Sequence, residues 1–226
     1  MVRRSAAGDH RKPRASDGKG CVGCVAATRP MALPRMHDRV DGVSLLRRRA
    51  GNEFLVEGWV EGLCAMAADL CGLNTSMLDF IDNEEFVREL FTFVVEMELR
   101  FAKAQLDAGA DLIGVGDAAA SLVGPRIYNK YIFPFEKQLI DGLCALGAKT
   151  RIHICGSTRK ILAGMGLLGA DIVDLDFLTP VDEARAVMGP RQILLGNMDP
   201  VRAPRDTTPE SVATVLAEYV AMAVAT

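Results

Sequence analysis

Thr150-Arg-Ile-His-Ile-Cys-Gly156 is followed by a helix-like stretch, Arg159–Leu168, and then by the apolar run Ile172–Leu175. A short β-branched run, a turn, an apolar-periodic segment and a second short run make a strand-helix-strand unit, whose strands pair in parallel through the crossover. The same rhythm extends both ways. Upstream, Leu112–Gly116 reads as a buried strand, and Pro125 fits the first turn of a helix whose periodicity runs to Leu146 before Gly147 stops it. Earlier still, the short apolar run Phe54–Trp59 precedes an Ala-rich stretch from Glu61 to Leu70 and a long helical pattern from Glu84 through Ala108. Downstream come Val181–Met188 as helix, Gln192–Gly196 as strand and Pro209 to Val224 as helix. Five such units predict an α/β fold with a parallel sheet.

Two architectures suit that pattern. An eight-stranded barrel usually needs about 250 residues, whereas an open doubly wound sheet is complete with five or six strands. The 226 residues present favour the open sheet by length. The polar residues favour the barrel: Asp117, His153 with Cys155, Asp176, and Asn197 with Asp199 all fall at or just after a strand's C-terminal end, where a barrel gathers its active-site mouth.

Composition narrows the class of partner. At 50% apolar and 24% charged the chain is globular, and its longest apolar runs, such as Ile161 to Ala170, fall short of the roughly 20 residues of a membrane helix. Residues 1–40 hold 9 Lys and Arg against 3 Asp and Glu, leaving 17 against 26 in the remainder. That acidic body argues against nucleic acid, which demands clustered cations, and points to a small molecule. Six scattered cysteines show no disulfide framework and imply a reducing cytoplasm. No apolar signal segment follows Arg3 and Arg4. Residues 1–36, rich in Arg, Gly, Ala and Pro, read as a disordered lead-in ahead of a domain over 37–226. The lead-in contains Cys21 and Cys24, but a zinc site needs a second pair and a redox pair needs a strand-to-helix setting, and neither is visible.

The chemistry concentrates in His153-Ile-Cys-Gly156. Residues i and i+2 of a strand share a face, so the imidazole and the thiol project together, within about 4 Å if both reach one metal. A catalytic zinc takes three protein ligands and keeps an open position, so the pair is half of such a site; a satisfied core pair is the bland alternative. Asp117 could bind a substrate nitrogen, complete a metal site, act as an acid or base, or cap a helix. Asp174 and Asp176 would share a face, with only Asp176 near the mouth. Gly164-Met-Gly166-Leu-Leu-Gly169 spells a dinucleotide fingerprint, but it closes a helix and precedes a strand, which is the wrong setting.

Gly58-Trp-Val-Glu-Gly62, Ala108-Gly-Ala-Asp111, Gly116-Asp117, His153-Ile-Cys-Gly156, Gly169-Ala-Asp171 with Asp174-Leu-Asp176, and Gly196-Asn-Met-Asp-Pro200 together resemble the uroporphyrinogen decarboxylase superfamily from about Asp38 onward. The His-x-Cys-Gly element is similar to the branch of zinc-dependent methylcobamide:coenzyme M methyltransferases. The resemblance implies a (β/α)8 barrel, of which about five strand-helix units lie in this chain. It implies zinc held by His153, Cys155 and a third cysteine on a later strand that has no counterpart here, and a corrinoid, free or on a corrinoid protein, giving a methyl group to a small thiol. It implies Asp117 in catalysis, and Asp176, Asn197 and Asp199 at the mouth facing substrate. The metal-free alternative is decarboxylation of a tetrapyrrole's acetate arms, with Asp117 on pyrrole N–H groups and Arg126 pairing a carboxylate; an inactive partial barrel is the third. A half-barrel is expected to be open and to expose apolar residues on its concave face.

Overall fold

The computed structural model describes residues 34–202, 205 and 207–224. The Cys21 and Cys24 pair and most of the expected lead-in lie outside the described residues. A helix α1 (Pro34–Ala50) begins three residues before the expected domain boundary.

Five strands alternate with helices: β1 (Glu57–Glu61), β2 (Leu112–Gly116), β3 (Lys149–Ile154), β4 (Ile172–Leu175) and β5 (Ile193–Gly196). Between β1 and β2 run α2 (Leu63–Cys71), α3 (Leu73–Asp82) and α4 (Glu84–Asp107). The sequence reading assigns no element where α3 lies, because Gly72, Asn74, Thr75 and Ser76 are turn residues. Ser76 instead satisfies its hydroxyl on the carbonyls of Ala67 and Gly72, which ties α3 back to α2. After β2 the chain passes a 3-10 turn (Ala118–Leu122), a short helical turn (Pro125–Ile127) and a π-turn (Tyr128–Ile132) before α5 (Phe133–Ala145). The expected single helix from Pro125 is present and runs unbroken to Ala145, widened into a π segment just ahead of Pro134, which offers no N–H to the preceding turn. Then α6 (Leu162–Leu167), α7 (Val181–Met188) and α8 (Pro209–Val224) follow β3, β4 and β5.

All four strand pairings are parallel and the strand order is β1-β2-β3-β4-β5. A doubly wound sheet reverses its strand order at one point. An order that never reverses, joined by right-handed crossovers, puts every helix on one side and is an arc of a barrel. The arc is open, and within the described residues it does not close.

Burial along the strands shows which side the helices cover. Val60, Ile113, Val115, Ile152, Ile154, Val173 and Leu175 are at most 2% exposed and pack on Phe91, Val94, Leu139, Leu143, Met165 and Leu168. The opposite, concave side carries Glu57, Trp59 and Glu61, then Leu112, Gly114 and Gly116, then Lys149, Arg151 and His153, then Ile172 and Asp174. The expectation of an apolar concave face is corrected here. Its centre is a charged network of ion pairs, and among the described strand residues large apolar side chains stand open at the last strand, on Ile193 and Leu195.

Candidate functional site

Register brings the site together. Glu61, Gly116, His153, Asp174 and Leu195 form one row across the five strands at their C-terminal ends, with Trp59, Gly114, Arg151, Ile172 and Ile193 in the row beneath. The indole of Trp59 lies flat over the β2 glycines: a Cβ on Gly114 would meet it at 2.4 Å and one on Gly116 at 2.5 Å, so only glycine leaves room. Arg151 stands over the same indole, 5.9 Å from the ring centre.

His153 Nε2 lies 3.0 Å from Cys155 Sγ, as the shared strand face requires. Its Nδ1 lies 3.2 Å from Asp174 Oδ2. That same oxygen accepts from Arg151 Nη2, while Arg151 Nη1 reaches Glu57 at 2.9 and 3.2 Å. The result is a continuous line, Glu57–Arg151–Asp174–His153–Cys155, crossing from β1 to β4. Contact with Asp174 outweighs burial and raises the His153 pKa. Burial pulls the Asp174 carboxyl upward, but His153 and Arg151 overcome it and hold the group below the usual range. Partial burial, then the charges of Asp176 and Asp174, push the Cys155 thiol up, so without a cation it stays protonated. Asp174 escapes a reading confined to strand ends, because the pairing of His153 with Asp174 is a property of two strands in register.

The other expected residues go to different places. Asp176 accepts from Gly156 N at 2.8 Å and from Leu178 N at 3.0 Å, so it pins the loop carrying Cys155. Asn197 donates to the carbonyl of Asp176 at 3.1 Å and to that of Thr179, joining two mouth loops from a largely buried position. Asp199 receives Val201 N and Arg202 N and shapes its own turn. Arg126 is exposed on the Pro125–Ile127 turn.

Asp117 is the clear departure. Gly116 faces the concave side, so the next residue turns behind the sheet, where Asp117 is fully buried and its carboxylate receives Ala65 N at 2.8 Å and Cys64 N at 3.2 Å. It caps α2, and Gly62 packs so closely that a Cβ there would stand 2.3 Å from Asp117 Cβ. Only its backbone touches the site, donating to the carbonyl of His153 at 2.9 Å. The expected catalytic carboxylate is therefore a helix cap shut off from the open face. Beside it, Glu136 on α5 accepts from Tyr128 Oη at 2.6 Å. Burial first, and then the Asp117 charge, push the Glu136 carboxyl up; burial likewise raises Asp117 against its N–H donors.

The donor set can be tested against zinc. Ligand distances of about 2.0 and 2.3 Å at a tetrahedral angle put the nitrogen and sulfur about 3.5 Å apart. The observed 3.0 Å needs an opening of about half an ångström, which side-chain rotation supplies. A carboxylate behind the second ring nitrogen is the usual support of a metal-binding histidine. Among the described residues no cluster of three His, Cys, Asp or Glu forms a complete metal site. The pair thus fits as part of a zinc shell and not as the whole of it.

The family profile described as "Uroporphyrinogen decarboxylase (URO-D)" matches residues 24–225. The chain belongs to the URO-D family. Among its relatives is the methylcobamide:CoM methyltransferase MtbA of Methanosarcina mazei, 31% identical over 172 residues, which cover 75% of this chain and 50% of that protein. A uroporphyrinogen decarboxylase of Nocardia farcinica is 33% identical over 181 residues, covering 75% of this chain and 50% of that enzyme. A solved methyltransferase from Methanosarcina mazei superposes with a TM-score of 0.67 at 22% identity, over 74% of this chain and 49% of that one, and shares the fold. The chain spans about half the length of these URO-D relatives. No helix among its described residues is long and apolar enough to cross a membrane.

Proposed function

We propose that this URO-D chain contributes the His-Cys part of a zinc centre that serves methyl transfer from a methylcorrinoid, free or carried by a corrinoid protein, to a small-molecule thiol. The carrying observation is the approach of His153 Nε2 to Cys155 Sγ at 3.0 Å on the open face, with Asp174 behind the other ring nitrogen. When bound, zinc supplies a Lewis acid that keeps a coordinated thiol in its nucleophilic thiolate form near neutral pH.

The chain's own residues do the arranging. His153 and Cys155 would hold the metal, and a further ligand would come from outside the described residues. Asp176 fixes the Cys155 loop through Gly156 N, and Asn197 braces that loop against the next. Asp199 and Arg126, at the loops after β5 and β2, are assigned to contacts with the acceptor or the corrinoid. Likeness to MtbA supports this reading, while equal likeness to uroporphyrinogen decarboxylases keeps tetrapyrrole decarboxylation as the second. That second reading is weakened by Asp117, whose carboxylate is committed to α2 and not offered to pyrrole N–H groups.

Equilibrium dialysis of the full chain against Zn2+ tests the assignment, with Cys21→Ser and Cys24→Ser introduced so that the second cysteine pair contributes nothing. Zn2+ should bind more weakly than at a complete three-ligand centre, and both His153→Ala and Cys155→Ala should abolish that binding. Zinc retained by both variants would overturn the metal reading and leave decarboxylation or an inactive partial barrel.

A further inference from the structure

A neutral imidazole carries its one proton on either nitrogen, and in free histidine the Nε2-protonated form predominates. A histidine that ligates through Nε2 must hold the proton on Nδ1, the less favoured arrangement, and something must stabilise it there. The surroundings of His153 supply that bias. Nδ1 is buried, makes no hydrogen bond of its own in the present geometry, and has Asp174 Oδ2 as its acidic neighbour at 3.2 Å. Nε2 faces Cys155 Sγ at 3.0 Å, where a protonated thiol donates to an unprotonated nitrogen. Both neighbours select the same tautomer.

Asp174 is not free to swing away. Its Oδ2 is also held by Arg151 Nη2, and Arg151 is gripped on its other nitrogen by both oxygens of Glu57. Arg151 is further confined by Trp59, which the glycine floor of β2 fixes in place. The carboxylate facing Nδ1 is therefore preset by side chains from β1 and β3, Glu57, Trp59 and Arg151, none of which would touch a metal.

We propose that Asp174 is the positioning residue of the centre: it fixes His153 with Nδ1 protonated and the Nε2 lone pair aimed to the Cys155 side, with Arg151 and Glu57 holding Asp174 in turn. The role rests on the zinc reading for its purpose, but the tautomer is a property of the metal-free chain.

The chain has three histidines, so the ring nitrogens of His153 can be assigned in a two-bond 1H–15N spectrum by the loss of one set in His153→Ala. At a pH where the ring is neutral, the expected pattern is Nδ1–H with Nε2 unprotonated. Asp174→Ala should return the ring to the Nε2–H form and lower zinc affinity by about 10- to 100-fold. Asp174→Asn keeps an acceptor oxygen, guards against a folding defect, and should retain part of both effects. Arg151→Met should shift the tautomer less than Asp174→Ala does. An Nε2–H pattern in the unsubstituted chain, or an unchanged tautomer and affinity in Asp174→Ala, would overturn the positioning role. If instead the tautomer responds to Asp174 while zinc binding ignores His153→Ala and Cys155→Ala, the positioning stands and the zinc reading fails.

Discussion

The two sides of the one sheet treat a carboxylate in opposite ways. On the helix-covered side Glu98, Asp117 and Glu136 are buried among apolar residues, and burial is the first cause of a raised pKa for each. On the concave side Asp174 is drawn below the ordinary range because Arg151 and His153 stand beside it, despite the same upward pull of burial. No cation is among the influences on these three carboxyls, so burial prevails and their pKa values rise. The open side is built from fixed ion pairs, so its acid stays charged and can orient a ring nitrogen. Charged chemistry finds its place on the second side for the same reason that a packed core belongs on the first.

The sharpest break of that comparison is a cavity on the covered side. Ile152 is fully buried one position from His153. Ile152→Ala should lose about 2–5 kcal/mol in a urea or guanidinium unfolding measurement. A loss below about 1 kcal/mol would show that the helices pack loosely on the sheet.

Glu98 probes the covered side by pH. Its carboxyl is pushed up to about 8, by burial and then by the charge of Glu61. The folded state therefore binds more protons than the unfolded chain between the ordinary glutamate pKa and about 8, and stability must fall as pH rises through that window. The fall should be on the order of 5 kcal/mol across the whole window. Glu98→Gln should remove that slope and leave the variant more stable than the parent above pH 8. A parent whose unfolding midpoint holds steady across that window would contradict the assignment.

Arg151 probes the concave side. Arg151→Ala leaves Glu57 and Asp174 without their cation on a face about a quarter exposed, so the expected loss is about 1–3 kcal/mol, discounted for solvent. The loss should shrink in high salt, whereas that of Ile152→Ala should not.

These contrasts also explain what the amino-acid order discloses. Alternation along one strand suffices to place His153 and Cys155 together and to set Asp174 and Asp176 on one face. The same alternation, counted from Gly114 and Gly116, turns Asp117 behind the sheet, but a rule that gathers every polar strand-end residue at the mouth overrides it. Asp174 needs more, since its partnership with His153 follows from the stagger of β4 on β3, which no single segment reveals. Glu136 lies 19 residues after Asp117 in a helix with an apolar stripe, and only packing brings the two together. The choice between barrel arc and doubly wound sheet turns on strand order, which is likewise a fact about pairs.

The smallest expected effect lies at β5, where apolar residues face open space. Leu195 shares the site row with His153 and Asp174 yet is 43% exposed, and Ile193 beneath it is 59% exposed. Leu195→Thr removes little buried area, and threonine is at home in a strand. Its unfolding free energy should stay within about 0.5 kcal/mol of the parent, against several for Ile152→Ala on the same sheet. The two residues have similar size and chemistry and differ in face and in strand, the one on central β3 and the other on the last strand β5, so the ratio of their effects measures how much the packing falls off from the covered centre to the open edge. A loss at Leu195 approaching that at Ile152 would mean that β5 is covered in solution and that the concave face is not open.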